Sequence, residues 1–218
     1  MSERPVHAQI TVLSEVLVQL ANKVLENFLL SLHAVAQHDE HGTGKRKLAD
    51  YEIDMAEVDL EERCLSFLAL QHPVASDLRT IMTIIMINDE LERIGDLSLH
   101  SLDLMLEITP EIIETFEFEK MGVLAAEVVK KSIVAFAVKE QVLADQVSVL
   151  DKEIEAMHRS VFNKATALIK IPGADVSQLM AVLSISRYLE HIADHAVKIA
   201  KEVIYLVTGE IIHKELLH

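Results

Sequence analysis

The sequence predicts an all-α fold: two tandem, sequence-related three-helix bundles, six helices in a pseudo-two-fold duplication. Three observations carry this prediction. Apolar residues recur at spacings of three and four almost throughout the chain, as one buried helix face requires. Half of the residues are hydrophobic, only 4% are aromatic, and breakers are sparse at six glycines and four prolines, which disfavours a strand-and-turn architecture. Two stretches, "DELERIGDLSLHS" at 89–101 and "RYLEHIADHAVKI" at 187–199, repeat one pattern at an offset of 98 positions.

The elements follow in order. Ile10, Leu13, Leu17, Leu20, Val24 and Phe28 mark an amphipathic first helix that ends near "AQHDEHGTGKRK", where two glycines signal a loop. A second helix runs from about Lys45 to Gln71 and stops at Pro73; Ser76 or Asp77 is placed to cap a third, over about Ala75–Glu107. Pro110 in "ITPEI" breaks the chain again. The second half repeats the plan: helices over about Thr115–Val142 and Ala144–Lys170, a break at "IPGAD", and a last helix over about Asp175–Val207 with Gly209 as its C-terminal cap. Two units are too few for a solenoid, so the predicted domains are 1–110 and 111–218.

The long third and sixth helices align without gaps. Asp77 meets Asp175, Leu91–Glu92 meet Leu189–Glu190, Ile94 meets Ile192 and Asp96 meets Asp194. For the middle helices the expected pairing is Asp54 with Asp151 and Glu61 with His158, which leaves Val147 where the first repeat has Asp50.

Charge narrows the function. Lys and Arg number 20 against 35 Asp and Glu, a formal net charge of −15, which lacks the basic footprint of a nucleic-acid binder. The same charge opposes direct contact with an anionic membrane, so membrane association is expected only through partners. Cys64 is the single cysteine, and the first residues lack the basic and apolar regions of a signal peptide; a cytoplasmic location is expected.

The acids are patterned. Glu92 and Asp96 share one helix face, as do Glu190 and Asp194, and Asp89 and Asp103 extend the first stripe. The middle helix carries Asp50, Asp54, Glu57 and Glu61 at 4-3-4 spacing; its counterpart offers Asp151, Glu155 and His158. If these helices pack side by side, carboxylate rows face each other, and converging oxygens suit Mg²⁺, Ca²⁺, Mn²⁺ or iron. Spacing alone leaves a metal site and a solvated acidic face both open. His191 and His195 flank the second motif as nitrogen ligands or surface histidines. The "HDEH" at 38–41 reads as a solvated loop, and Cys64 as a core residue.

No phosphate loop, nucleophile elbow or Cys pair is present, so no enzyme is expected. The alternative is a carboxylate-bridged di-metal oxidase or ferroxidase of ferritin-like type, suggested by Glu155-x-x-His158 and Glu210-x-x-His213.

The stretches "ASDLRTIMTIIMINDELERIGD" (75–96) and "RYLEHIADHAVKIAKEVIYLVTGE" (187–210) resemble the PhoU family of phosphate-signalling proteins. The resemblance spans the whole chain and carries an acid-x-x-x-Asp motif on the last helix of each repeat, with "DYEID" (50–54) as the facing motif. It implies a cytoplasmic regulator that restrains phosphate uptake and phosphate-starvation signalling. Its partners would be the ATPase subunit of the phosphate ABC transporter and a PhoR-type sensor kinase, and it would form a homodimer. It further implies iron or zinc on the acidic motifs, Asp50, Asp54, Glu92, Asp96, Asp151, Glu190 and Asp194, to which helix spacing adds Glu57 and Glu155 as candidate ligands. The chain departs from the family pattern at Val147, and at His191, where many relatives have Arg.

Overall fold

A computed structural model describes residues 5–36 and 43–210, with side chains at 6–35 and 51–210. Among the described residues every regular element is a helix: α1 (Pro5–Ala36), α2 (Thr43–Gln71), α3 (Ala75–Glu107), α4 (Pro110–Thr115), α5 (Phe118–Val138), α6 (Gln141–Ile169) and α7 (Val176–Thr208). The six predicted helices are present, and α4 is an addition: Pro110 starts a short helix in a segment the sequence marked only as a break. The boundary between the fourth and fifth predicted helices also moves. α5 ends at Val138, where Lys139 turns left-handed at φ 53° and bonds back to Phe136 O. No glycine or proline marks that turn, so the sequence carried no signal for it.

Capping differs between the repeats. Asp175 accepts from the Gln178 N–H at 3.1 Å and caps α7 as a carboxylate should. At α3 the cap position is Val74, without a side-chain bond, and neither Ser76 nor Asp77 takes the expected role; Asp77 lies 3.7 Å from His7 Nε2 on α1 instead. Gly209 closes α7 at φ 76°, its N–H donating to Tyr205 O at 2.8 Å.

α1, α2 and α3 form one bundle and α5, α6 and α7 the other, joined where α3 packs on α7 and α1 on α5. Gly122 serves the second contact: a Cβ there would lie 2.5 Å from Leu32 Cδ2. α3 and α7 run antiparallel, since Arg79 lies over the Tyr205 ring, Glu90 pairs with His195 and His100 meets Tyr188. These pairs centre on Ile94 and Ile192, equivalent residues that are both fully buried, so the pseudo-two-fold axis passes there. Ile84, Leu91 and Ile94 from α3, with Val182, Leu189 and Ile192 from α7, form the middle of the core.

Burial confirms the offset of 98 for α3 and α7 and corrects the middle helices. In α2 the buried residues include Ile53, Leu60 and Cys64; in α6 they include Ile154, Val161 and Ala165. That is an offset of 101, one helical turn from the expected pairing. "DYEID" at 50–54 therefore matches "DKEIE" at 151–155, and His158 corresponds to Glu57. A second observation agrees: Asn88 Nδ2 donates to Glu57 O at 3.1 Å, and at the equivalent place Ser186 Oγ lies 3.1 Å from His158 Nδ1. Val147 is fully buried core and replaces no acid. The second repeat keeps both acids of the middle motif, Asp151 and Glu155, and departs only beyond it, where His158 stands for Glu57 and Phe162 for Glu61.

Candidate functional site

The acids on α2 and α3 face each other as the helix spacing requires. Glu57 is half-buried, and burial, followed by the charges of Glu92, Glu61, Asp54 and Asp89, pushes its carboxyl up to about 7. Asp54 and Glu61 are exposed beside it, while Glu92 and Asp96 are half-buried on α3. Arg93 lies 4.0 Å from Asp89, at the exposed edge of this face. Asp103 is exposed two turns beyond Asp96. The side chain of Asp50 and the "HDEH" loop at 38–41 lie outside the described residues.

The second repeat assembles its counterpart between α6 and α7. Asp151 is only 9% exposed, and its Oδ1 has no hydrogen-bond partner. Burial, then Asp194, Glu155 and Glu190, raise its carboxyl to about 6, against the opposing charge of Lys201. On α7, His191 Nδ1 lies 3.4 Å from both Glu190 Oε2 and Asp194 Oδ2. Ligand atoms of these three residues fall within 4.8 Å of one another, close enough to share one ion. Glu155 also pairs with Arg159 at 3.3 Å.

The two flanking histidines have separate roles. His195 turns from the acidic motif to α3, where its Nδ1 contacts Glu90 Oε2; Lys198 Nζ joins at 3.4 Å. Glu90 carries a carboxyl below the usual range: burial raises it, but the His195 bond and the Lys198 charge prevail. Sequence reading missed Glu90, because the contact spans 105 positions and no motif connects them. It named Asp151 and Glu155 on α6 but set them against the wrong residues of α2, although the similarity of "DYEID" and "DKEIE" was there to find.

An unpartnered, buried carboxylate oxygen surrounded by other acids fits a cation. The donor set, oxygens with one adjacent imidazole, therefore suits the metal that the acidic motifs imply. The di-iron alternative fares worse. It needs Glu-x-x-His pairs from helices converging on one site. Glu210, however, follows the Gly209 cap and is exposed, and His158 bonds to Ser186 on α7.

A family model described as the PhoU domain matches residues 17–104 and again 118–203. The chain belongs to the PhoU family. Among curated relatives, a phosphate-specific transport system accessory protein PhoU homolog of Xylella fastidiosa is 27% identical over 182 residues, covering 83% of this chain and 75% of the relative. The homolog of Streptococcus pneumoniae is 27% identical over 195 residues, covering 88% and 90%. In structure, the phosphate transport system regulatory protein PhoU from Streptococcus pneumoniae superposes with a TM-score of 0.87 at 24% identity, covering 95% of this chain and 99% of that one. PhoU from Pseudomonas aeruginosa gives 0.70 at 26% identity, covering 94% and 96%. Both PhoU repeats thus carry a facing pair of acidic helices here, and the offset of 101 brings the middle motifs of the PhoU duplication into line.

Proposed function

We propose that this PhoU-family chain is a non-catalytic, metal-binding regulator of phosphate uptake and phosphate-starvation signalling. In this reading it acts as a cytoplasmic adaptor between the ATPase subunit of a phosphate ABC transporter and its PhoR-type sensor kinase. One observation carries the metal half: Asp151 Oδ1, buried and unpartnered, among Glu155, Glu190 and Asp194. A bound cation would neutralise the facing carboxylates and cross-link α6 to α7 and α2 to α3. Glu57, Glu92, Asp54 and Asp96 would hold it in the first repeat; Asp151, Glu155, Glu190 and Asp194 would hold it in the second.

The adaptor half is supported by the family and by the surface. No described helix is long and apolar enough to cross a membrane, so contact with a transporter would run through its soluble parts. Leu78, Met82 and Met86 form an exposed apolar stripe along α3, and Val176 and Met180 repeat it on α7. A groove of about 530 Å³ between α1 and α2, walled by Val12, Leu13, Phe67 and Leu70 with Glu62 and the Asp59–Arg63 pair at its rim, suits an amphipathic segment. α2 packs on both α1 and α3, so cross-linking its acids to α3 would tighten the wall of this groove. Metal state would thereby reach the partner surface.

The test is elemental analysis of chelator-washed protein, reloaded and compared with D151N/D194N, together with capture of the purified transporter ATPase and kinase with and without metal. Loss of bound metal in the variant and metal-dependent capture are expected. Full metal content in the variant removes the assignment, and capture of neither partner removes the adaptor role. A homodimer is expected by sedimentation, with the repeated stripe on α3 and α7 as the surface to mutate.

A further inference from the structure

We infer that the two carboxylate sites differ in kind: the one between α6 and α7 selects a borderline cation such as Zn²⁺, with His191 as the selecting ligand, and the one between α2 and α3 takes hard cations. The inference rests on the metal-binding reading above and asks what each repeat would hold.

The donor inventories diverge at three equivalent positions. Arg93 stands in the first repeat where His191 stands in the second, and it lies 4.0 Å from Asp89 with no imidazole to offer. Asp89 is itself replaced by Arg187, and Glu57 by His158. Among the described residues the first site therefore offers carboxylate oxygens and a dense negative charge, the chemistry of Mg²⁺, Ca²⁺ and Mn²⁺. The second loses acids, gains the nearby charges of Arg187 and Lys201, and gains imidazole. Less charge and a nitrogen donor favour Zn²⁺ and its borderline neighbours.

The geometry of His191 is suited to this task. Its Nδ1 already faces Glu190 and Asp194 at 3.4 Å, and Asp151 supplies the buried oxygen without a partner. His191 Nε2 accepts from Arg187 Nε at 3.1 Å, so in the metal-free protein the ring proton sits on Nδ1. Coordination through Nδ1 moves that proton to Nε2 through solvent and breaks the Arg187 bond. Arg187 is exposed and free to swing away. At His158, Ser186 gives its proton to Leu183 O and accepts from Nδ1, which leaves the Nε2 lone pair open.

The experiment titrates metal-free, full-length protein with Zn²⁺, with Co²⁺ as a visible reporter, and with Mn²⁺ read by electron paramagnetic resonance. One tight Zn²⁺ equivalent is expected, weakened at least about tenfold in His191→Ala and in His191→Arg, the residue of the first repeat. The Co²⁺ spectrum should carry an imidazole signature that both variants lose. Mn²⁺ binding should be lost in E57Q/E92Q and keep its affinity in H191A. Unchanged Zn²⁺ affinity in both His191 variants, or equal Zn²⁺ affinity at the two sites, overturns this inference while leaving metal binding intact. Absence of any bound metal overturns the metal-binding reading and this inference with it. Circular dichroism of H191A and H191R separates ligand loss from unfolding, since His191 is partly exposed and both variants should stay folded.

Discussion

The side-chain amide of Asn88 on α3 donates to the main-chain carbonyl of Glu57 on α2, 3.1 Å away, and so holds the acid of one helix opposite the acids of the other. Asn88 is 2% exposed, so the bond is made away from water. Replacing Asn88 with Ala should destabilise the protein by about 1 kcal/mol, the usual net worth of such a bond. Chemical denaturation measures this, and hydrogen exchange should show the loss concentrated in α2. An unchanged α2 exchange rate would mean the bond does not anchor that helix.

Asp151 links stability to pH in the metal-free protein. Its carboxyl titrates near 6 when folded and at about 3.8 when not, so its stabilising contribution is full below the lower value and is lost as pH rises through 6. D151N should therefore be more stable than the parent at pH 8, by on the order of 2 kcal/mol, and should lack this slope. Metal-loaded protein should reverse the order. Glu57 acts with the same sign between about 4.5 and 7, and E57Q should flatten that part of the curve.

Glu90 has the opposite sign. Its carboxyl is held below the usual 4.5 by His195 and Lys198 across the α3–α7 seam, so the stability it adds is present above 4.5 and disappears as pH falls through its folded value. E90Q should cost about 1–2 kcal/mol at neutral pH and show a flatter acid limb. Thermal unfolding from pH 3 to 7 reads both effects. A parallel pair of curves would show that the contact does not titrate.

Gly95 is buried within α3, and a Cβ there would meet nothing within 4 Å. The equivalent residue of the second repeat is Ala193. Gly95→Ala should stabilise the protein by about 0.5–1 kcal/mol, because glycine loses more backbone freedom on folding. A lower melting temperature would reveal crowding between Glu92 and Asp96 instead.

The caps make an internal comparison. Asp175→Ala should cost about 1 kcal/mol, since its side chain holds the first free N–H groups of α7. Asp77→Ala, at the aligned position, removes only a 3.7 Å contact with half-exposed His7 and should cost less. Equal losses would show that the aligned aspartates do the same work.

The sequence by itself determined the helices, the duplication and the grouping of the acids into stripes; that the stripes face each other was decided by packing. The first three are properties of periodicity and of breakers such as Pro73, Pro110 and Gly209, and periodicity survives without knowledge of neighbours. The alignment of α3 with α7 was legible because both helices keep an apolar face over their whole length. The turn at Lys139 was hidden because it uses no special residue. The middle-helix register was decided only by tertiary structure. A shift of one turn keeps a helix face in phase, so the sequence constrains the match weakly, and only packing reveals that Ile53, Leu60 and Cys64 stand where Ile154, Val161 and Ala165 do. That one-turn correction turned a missing acid into a buried Val147, and set Asp151, unpartnered, among the acids of α7. Separating His191 from His195 was likewise a tertiary outcome. Both lie near the same acidic motif, but Glu90 approaches only one of them, because α7 packs against α3 along that side alone.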